Sequence, residues 1–292
     1  MGTDPILPLI IKMSLPAMFS MFIQAFYNIV DSIYVSRLGE NALSAVSLIF
    51  PVQLLSIAIG VGTGVGLSSL ISRRLGERRQ KEADQTAAHG IFLAFTSWVG
   101  FALFGLFFSD MFVGAFTEDP LLAVPAASYC RIVCIGSLFV FTAINAERVM
   151  QSTGNMILPM LCALSGAIIN IVLDPILIFG YLGAPAMGVT GAAVATIIGQ
   201  FVAMVLALVL LFTKPFPVSI HLKGFRPAAA IIKDVYVVGL PSIVMQAVAS
   251  LLALGMNALL IRFSVTAVAV LGVYYKVQTF VFLPVFGMNQ GL

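Results

Sequence analysis

The sequence predicts an all-α fold, a polytopic bundle of transmembrane helices. Three observations lead there. Hydrophobic residues make up 60% of the 292 positions and charged residues 9%, whereas soluble domains carry about 25% charged residues. Apolar runs repeatedly reach the roughly 20 residues that a membrane-crossing helix needs. Most of the basic residues collect between those runs rather than within them. Mean hydropathy is correspondingly high, +1.08.

Eight such segments can be drawn, at roughly 13–36, 43–71, 85–108, 122–147, 157–181, 188–212, 235–261 and 267–292. Short loops join most of them, so consecutive helices are expected to be antiparallel neighbours. The start, MGTDPILPLIIK, lacks a basic leader and a small-residue cleavage site, and the first segment is expected to serve as its own insertion signal. Ile6 stands where a myristoylation signal needs Ser or Thr.

The first segment carries Asp31 inside an apolar run, with Gln24 and Asn28 on the same helical face at i, i+4 and i+7 spacing. A carboxylate in hydrocarbon is costly and commonly marks an ion or substrate pathway. The second segment contains GVGTGVG, residues 60–66, whose alternate glycines favour close helix packing or a bend. No Lys-Ser/Thr follows, so a phosphate-cradling loop is excluded. Pro16 and Pro51 mark possible kinks.

The fourth segment holds Arg131, placed to snorkel outward, and Asn145. Cys130, Cys134 and Cys162 lie in apolar runs without a C-x-x-C pair, which argues for packing rather than a disulfide framework or metal knuckle. The fifth segment places Asn170 and Asp174 one turn apart, followed by Pro175, which removes a backbone donor and can loosen that turn. The sixth adds Thr196. Asp31, Asn170, Asp174 and Thr196 together would offer an all-oxygen cluster suited to a hard cation. Two carboxylates brought close in a dry site would also carry a proton, so Na⁺ and H⁺ both remain open. No other cofactor or metal is expected.

Lys276 in the eighth segment is expected to face a cavity or a carboxylate. His89 and His221 are isolated and read as interfacial residues. The 23 Phe and 13 Met supply lipid-facing and core surface, and some can line an adaptable apolar cavity.

Loop charge sets orientation. Arg73, Arg74, Arg78, Arg79 and Lys81 follow the second segment, and Lys214, Lys223, Arg226 and Lys233 follow the sixth. By parity these share a side with the N-terminus and Arg148, while Arg37, Arg262, Asp110, Glu118 and Asp119 lie opposite. Basic loops stay cytoplasmic, so the expectation is a multi-pass protein of the cytoplasmic membrane with its N-terminus inside. The same reading makes the basic run a topology signal and gives no role to nucleic acid.

An internal repeat divides the chain. An offset of 225 pairs Pro16 with Pro241, Arg37 with Arg262, Gln53 with Gln278, Gly62 with Gly287 and Gly66 with Gly291. The seventh and eighth segments then repeat the first two, as in two-lobed transporters. The expected organisation is a six-helix lobe over 1–212, a cytoplasmic linker over 213–234 with Pro215, Pro217 and Pro227, and the opening two helices of a second lobe over 235–292. The chain is therefore expected to be part of a twelve-helix protein and inactive alone. At the position equivalent to Asp31 the repeat carries Met256.

These stretches resemble a known family. Leu15-Pro16 with VDSIYVSRLGENALSAVS (30–47), RRLGERR after the glycine-rich helix, INIVLDPILIFG (169–180) and G-x-x-G-A-A-x-A-T (188–196) are similar to multidrug and toxic compound extrusion (MATE) transporters. The resemblance covers the whole chain. It implies a cation-coupled (Na⁺ or H⁺) antiporter, not an enzyme, that exports organic and often cationic drugs by alternating access of two lobes. It implies a cation site at Asp31, Asn170, Asp174 and Thr196. It also implies drug contacts at Gln24, Tyr27 and Asn145, with Asn28 joining them on the shared face of the first helix. The acidic residue some members carry on the seventh helix is absent: Gln246, Ser250 and Asn257 are the polar residues there. That favours coupling through the first lobe.

Two rival readings are weaker. A lipid-linked oligosaccharide flippase would need a basic cavity, for which only Arg131 and Lys276 speak. An intramembrane aspartyl protease would need Y-D and G-x-G-D patterns, and neither occurs.

Overall fold

The computed structural model describes residues 6–117, 119–220 and 225–260, with isolated positions between 270 and 287. Among the described residues every regular element is helical. The order is α1 (Ile6–Ser36), α2 (Glu40–Gly76), α3 (Gln80–Phe107), α4 (Ser109–Gly114), α5 (Pro120–Ser152), α6 (Ile157–Phe179), a 3₁₀ turn (Tyr181–Gly183), α7 (Val189–Thr213) and α8 (Ala229–Leu260). Seven of these are long and apolar enough to span a membrane, and the chain is a multi-pass membrane protein. Of the eighth expected segment only isolated positions are described; Lys276, Arg262, His221 and Glu118 lie outside the described residues.

The helices overrun the sequence boundaries. α2 has 37 residues and α5 has 33, or about 55 Å and about 50 Å at 1.5 Å per residue, well past a hydrocarbon core of about 30 Å. Their ends follow local chemistry. Asp119 caps α5, its Oδ1 accepting the Leu121 N–H at 2.9 Å ahead of Pro120 at the first helical position. α6 stops at Gly180, whose φ of 79° is left-handed. The linker also needs correcting. α8 begins at Ala229, so the last six residues of the 213–234 segment are already helical.

The loop between the third and fourth expected segments contains an extra helix, α4. There Asp110 Oδ2 receives a hydrogen bond from Arg131 at 2.8 Å. Arg131 therefore does reach outward, and it finds a carboxylate at the surface.

Neighbours in sequence are only partly neighbours in space. α2 packs on α3 and α6 on α7, as expected of short connections. α1, however, packs mainly on α6, and both run from the basic end of the bundle to the opposite end, so they are parallel. α5 is the central helix, against α2, α3 and α7, and more than half of its most apolar stretch is buried. Loop length governs which helices are adjacent in the chain, not which faces match, and α5 supplies the face that the others share.

A close seam joins α2 to α8. Gly62 and Gly66 let the backbones meet: a Cβ on Gly239 would lie 2.5 Å from the Gly62 carbonyl, and one on Gly66 would collide with the Val235 carbonyl. The glycine run of the second segment is thus a packing surface. Gly239→Val is expected to cost about 1–3 kcal/mol through overpacking. This would be read as a lower melting temperature in detergent, while Gly100→Ala, with open space around it, leaves the temperature unchanged or higher.

Candidate functional site

α6 and α7 are held together by the same device. A Cβ on Gly199 would lie 2.7 Å from the Gly166 carbonyl and 3.2 Å from Asn170 Cβ. With no side chain at 199, the two helices approach until Asn170 of α6 reaches Thr196 of α7. Asn170 Nδ2 lies 3.4 Å from Thr196 Oγ1 and 3.3 Å from Asp174 Oδ1. Three of the four residues expected at the cation site are therefore joined in one hydrogen-bonded group. Thr196, which in isolation would most simply bond its own helix, faces Asn170 instead.

Asp31 approaches from α1. It interacts electrostatically with Asp174, and Tyr27 and Tyr129 lie within electrostatic reach of both carboxylates. One turn further along, the Tyr34 ring meets Phe179 edge-on at 6.3 Å, closing the α1–α6 seam. Asp31 and Asp174 each lie five residues from the end of their helix, and Thr196 seven from the start of the antiparallel α7. The group therefore occupies the half of the bundle away from the basic loops.

Burial decides what the group can do. Asp174 has no exposed surface and Asn170 is 3% exposed. Asp174 Oδ2 and Asn170 Oδ1 are buried with no hydrogen-bond donor among the described residues. Oxygens left so cost several kcal/mol when charged (about 1–3 when neutral), whereas a single amide bond to Asp174 contributes about 1–3. An all-oxygen set with spare lone pairs fits a hard cation or a proton. α6 remains helical through Pro175; what Pro175 removes is the N–H that would bond the Ile171 carbonyl.

The remaining expected contacts are spread along the bundle. Gln24 and Asn28 are exposed on α1, and Asn28 Nδ2 donates to the Gln24 carbonyl at 2.8 Å. Tyr27 is half-buried between them and the acidic group. Asn145 is 3% exposed on α5, where Nδ2 donates to the Gly90 carbonyl of α3 at 2.9 Å. It lies seven residues from the basic end of α5, about 15 Å along the axis from the level of Asp174. Its Oδ1 is buried without a donor among the described residues.

Sequence reading missed two features. Tyr129 is 2% exposed on α5, and its hydroxyl accepts from Gln53 of α2 at 3.1 Å, which ties two more helices to the acidic group. Gln53 was visible as a repeat-paired residue, but its partner lies 76 positions away. Glu147 sits beside Arg148 on α5, within reach of Cys162, and its charge was hidden at a segment boundary. The three cysteines are buried, with Cys130 and Cys134 Sγ 4.0 Å apart, in keeping with a packing role.

Residues 16–176 match the family model MatE. The chain belongs to the MatE family. A multidrug export protein, MepA of Staphylococcus haemolyticus (strain JCSC1435), is 26% identical over 280 residues, covering 96% of this chain and 61% of MepA. MepA of Staphylococcus aureus (strain MRSA252) is 24% identical over 290 residues, 99% of this chain and 63% of the relative. Among solved structures, a ligand complex of the MATE multidrug transporter DinF-BH superposes with a TM-score of 0.93 at 33% identity, over 100% of this chain and 65% of DinF-BH. An outward-facing multidrug resistance MATE transporter gives 0.88 at 32%, over 97% and 62%. The chain thus spans under two thirds of the length of these MatE relatives.

Replacing Asp174 by Asn keeps a hydrogen-bonding side chain of the same size and removes a buried charge. The variant is expected to melt in detergent at the wild-type temperature or above it. A drop of several degrees would mean that the carboxylate is kept for the fold.

Proposed function

We propose that this chain is the cation-handling part of a drug exporter: a six-helix lobe over 1–212 joined to the start of a second lobe, in the cytoplasmic membrane with the basic end inside. Cation binding at Asp31, Asn170, Asp174 and Thr196 drives efflux of organic amphiphiles. The observation that carries the reading is the buried, donor-poor oxygen group on α6 and α7 facing a second carboxylate on α1. The names of the MepA relatives and of DinF-BH support multidrug export as the cargo class.

The coupling ion is Na⁺ or H⁺, and either is served by the same oxygens. A cation neutralises the carboxylates and draws α1 toward α6, and drug binding on the α1 face favours the opposite arrangement. The difference between these two affinities is the coupling free energy. Gln24, Tyr27 and Asn28 line the α1 face beside the acidic group. Asn145 offers its spare carbonyl nearer the basic end.

A lipid-linked flippase gains nothing from the described residues. Arg131, its main support, is paired with Asp110 at the surface. Transport rather than catalysis is the reading that the MatE relatives support, since those named above are called multidrug export proteins or multidrug transporters.

In cells or vesicles carrying the whole transporter, Asp31→Asn and Asp174→Asn are each expected to abolish cation-driven dye efflux at wild-type expression. Gln24→Ala is expected to change which dyes are exported while retaining cation dependence. Normal efflux by either Asp variant would overturn the assignment.

A further inference from the structure

Away from the acidic group, at the basic end, a second set of polar residues has no role in the account above. It lies where α2, α3, residues 214–220 and 225–228 and the start of α8 meet. Asp84 Oδ1 of α3 accepts the backbone N–H of Ser219 at 2.8 Å and the side chain of Gln80 at 3.0 Å. Gln80 also donates to the Pro217 carbonyl. His89 is not the interfacial residue that the sequence suggests. It is 2% exposed, with Nδ1 2.7 Å from the Gln85 carbonyl and Nε2 accepting the Ala228 N–H at 2.8 Å. The bond to a carbonyl puts the proton on Nδ1, so Nε2 is free to accept.

Apolar contacts follow the same path. The Phe225 ring meets His89 edge-on at 4.8 Å and lies 5.8 Å from Phe92. Val218 of the linker is 3% exposed, in a cluster with Ile71, Ala83 and Ala87. Ile231 and Val235 of α8 pack with Leu67 and Leu93. Arg74 of α2 reaches across, 3.6 Å from Asp234 of α8, while it donates to the Glu82 carbonyl at 3.0 Å.

A linker between two lobes does not need side-chain acceptors for its backbone, because water would satisfy an exposed loop equally well. Here two backbone N–H groups, at Ser219 and Ala228, are held by acceptors from one helix, α3. They bracket the segment that feeds α8 into its glycine seam with α2. We infer that Asp84 and His89 form a clasp that fastens the linker to α3 and thereby keeps the α2–α8 seam shut at the basic end. They are positioning residues, acting on the seam through the linker.

The test reads solvent access rather than transport, so its failure is separable from loss of efflux in the acidic-site variants. In the membrane-embedded transporter, with Cys130, Cys134 and Cys162 replaced by Ser, a single reporter cysteine is placed at Val218 or at Val235. Its reaction with a polar, membrane-impermeant thiol reagent is then timed from the basic side. Asp84→Ala and His89→Phe are expected to speed both reporters by about tenfold or more through local opening. Asp84→Asn keeps an oxygen acceptor for Ser219 and is expected to react at the parent rate. A reporter at Ala207, buried on α7, stays slow if the variant is folded; where Asp84→Ala fails that control, Ser219→Pro removes the same bond from the linker side. Unchanged rates at both reporters overturn the clasp. Faster reaction at Val218 with Val235 still protected also overturns it, because the linker would then be loose and the seam shut.

Discussion

Asp174 is fully buried in a helix that crosses the membrane, and one of its oxygens meets no donor among the described residues. That constraint organises the surrounding structure. A carboxylate there is tolerable only if something supplies charge or protons, because the Asn170 amide at 3.3 Å offsets a fraction of the desolvation cost. Gly199 removes the side chain that would hold α7 away from Asn170. The parallel pairing of α1 with α6 brings in Asp31, and Tyr129 anchored by Gln53 faces the pair from α5.

The opposite end of the bundle uses the same kind of interaction for another purpose. Asp84 and His89 accept backbone N–H groups that belong to a linker, and Arg74 bridges to α8. Glycines again set the distance, now between α2 and α8. The donor-poor oxygens of Asp174 and Asn170 thus lie away from the basic loops, while Asp84, His89 and Arg74 make satisfied polar contacts beside those loops. On the proposed reading, a site that binds and releases a cation is left short of partners, whereas a joint that holds is supplied with them.

Much of this was legible in the residues. Composition and loop charge specified a helical membrane protein, and the i, i+4 spacing of Asn170 and Asp174 put them on one face before any coordinates. The G-x-x-G-A-A-x-A-T stretch marked Thr196. Helix adjacency was not legible: the pairing of α1 with α6 and the central position of α5 depend on matching faces far apart in sequence. Tyr129 was invisible for the same reason, since its partner Gln53 is 76 residues away. His89 was misread because a lone histidine near a segment start carries no sign that a backbone N–H 139 positions later will find it.

The central claim is that the Asp31–Asp174 group takes up the coupling cation, and carboxyl infrared difference spectroscopy on the reconstituted transporter tests it without requiring transport. Stepping either Na⁺ or pH is expected to change a buried carboxyl band, and Asp174→Asn is expected to remove that change while leaving the helical amide band intact. Spectra that respond to neither ion, or a response that survives in both the Asp31→Asn and the Asp174→Asn variants, would contradict the account.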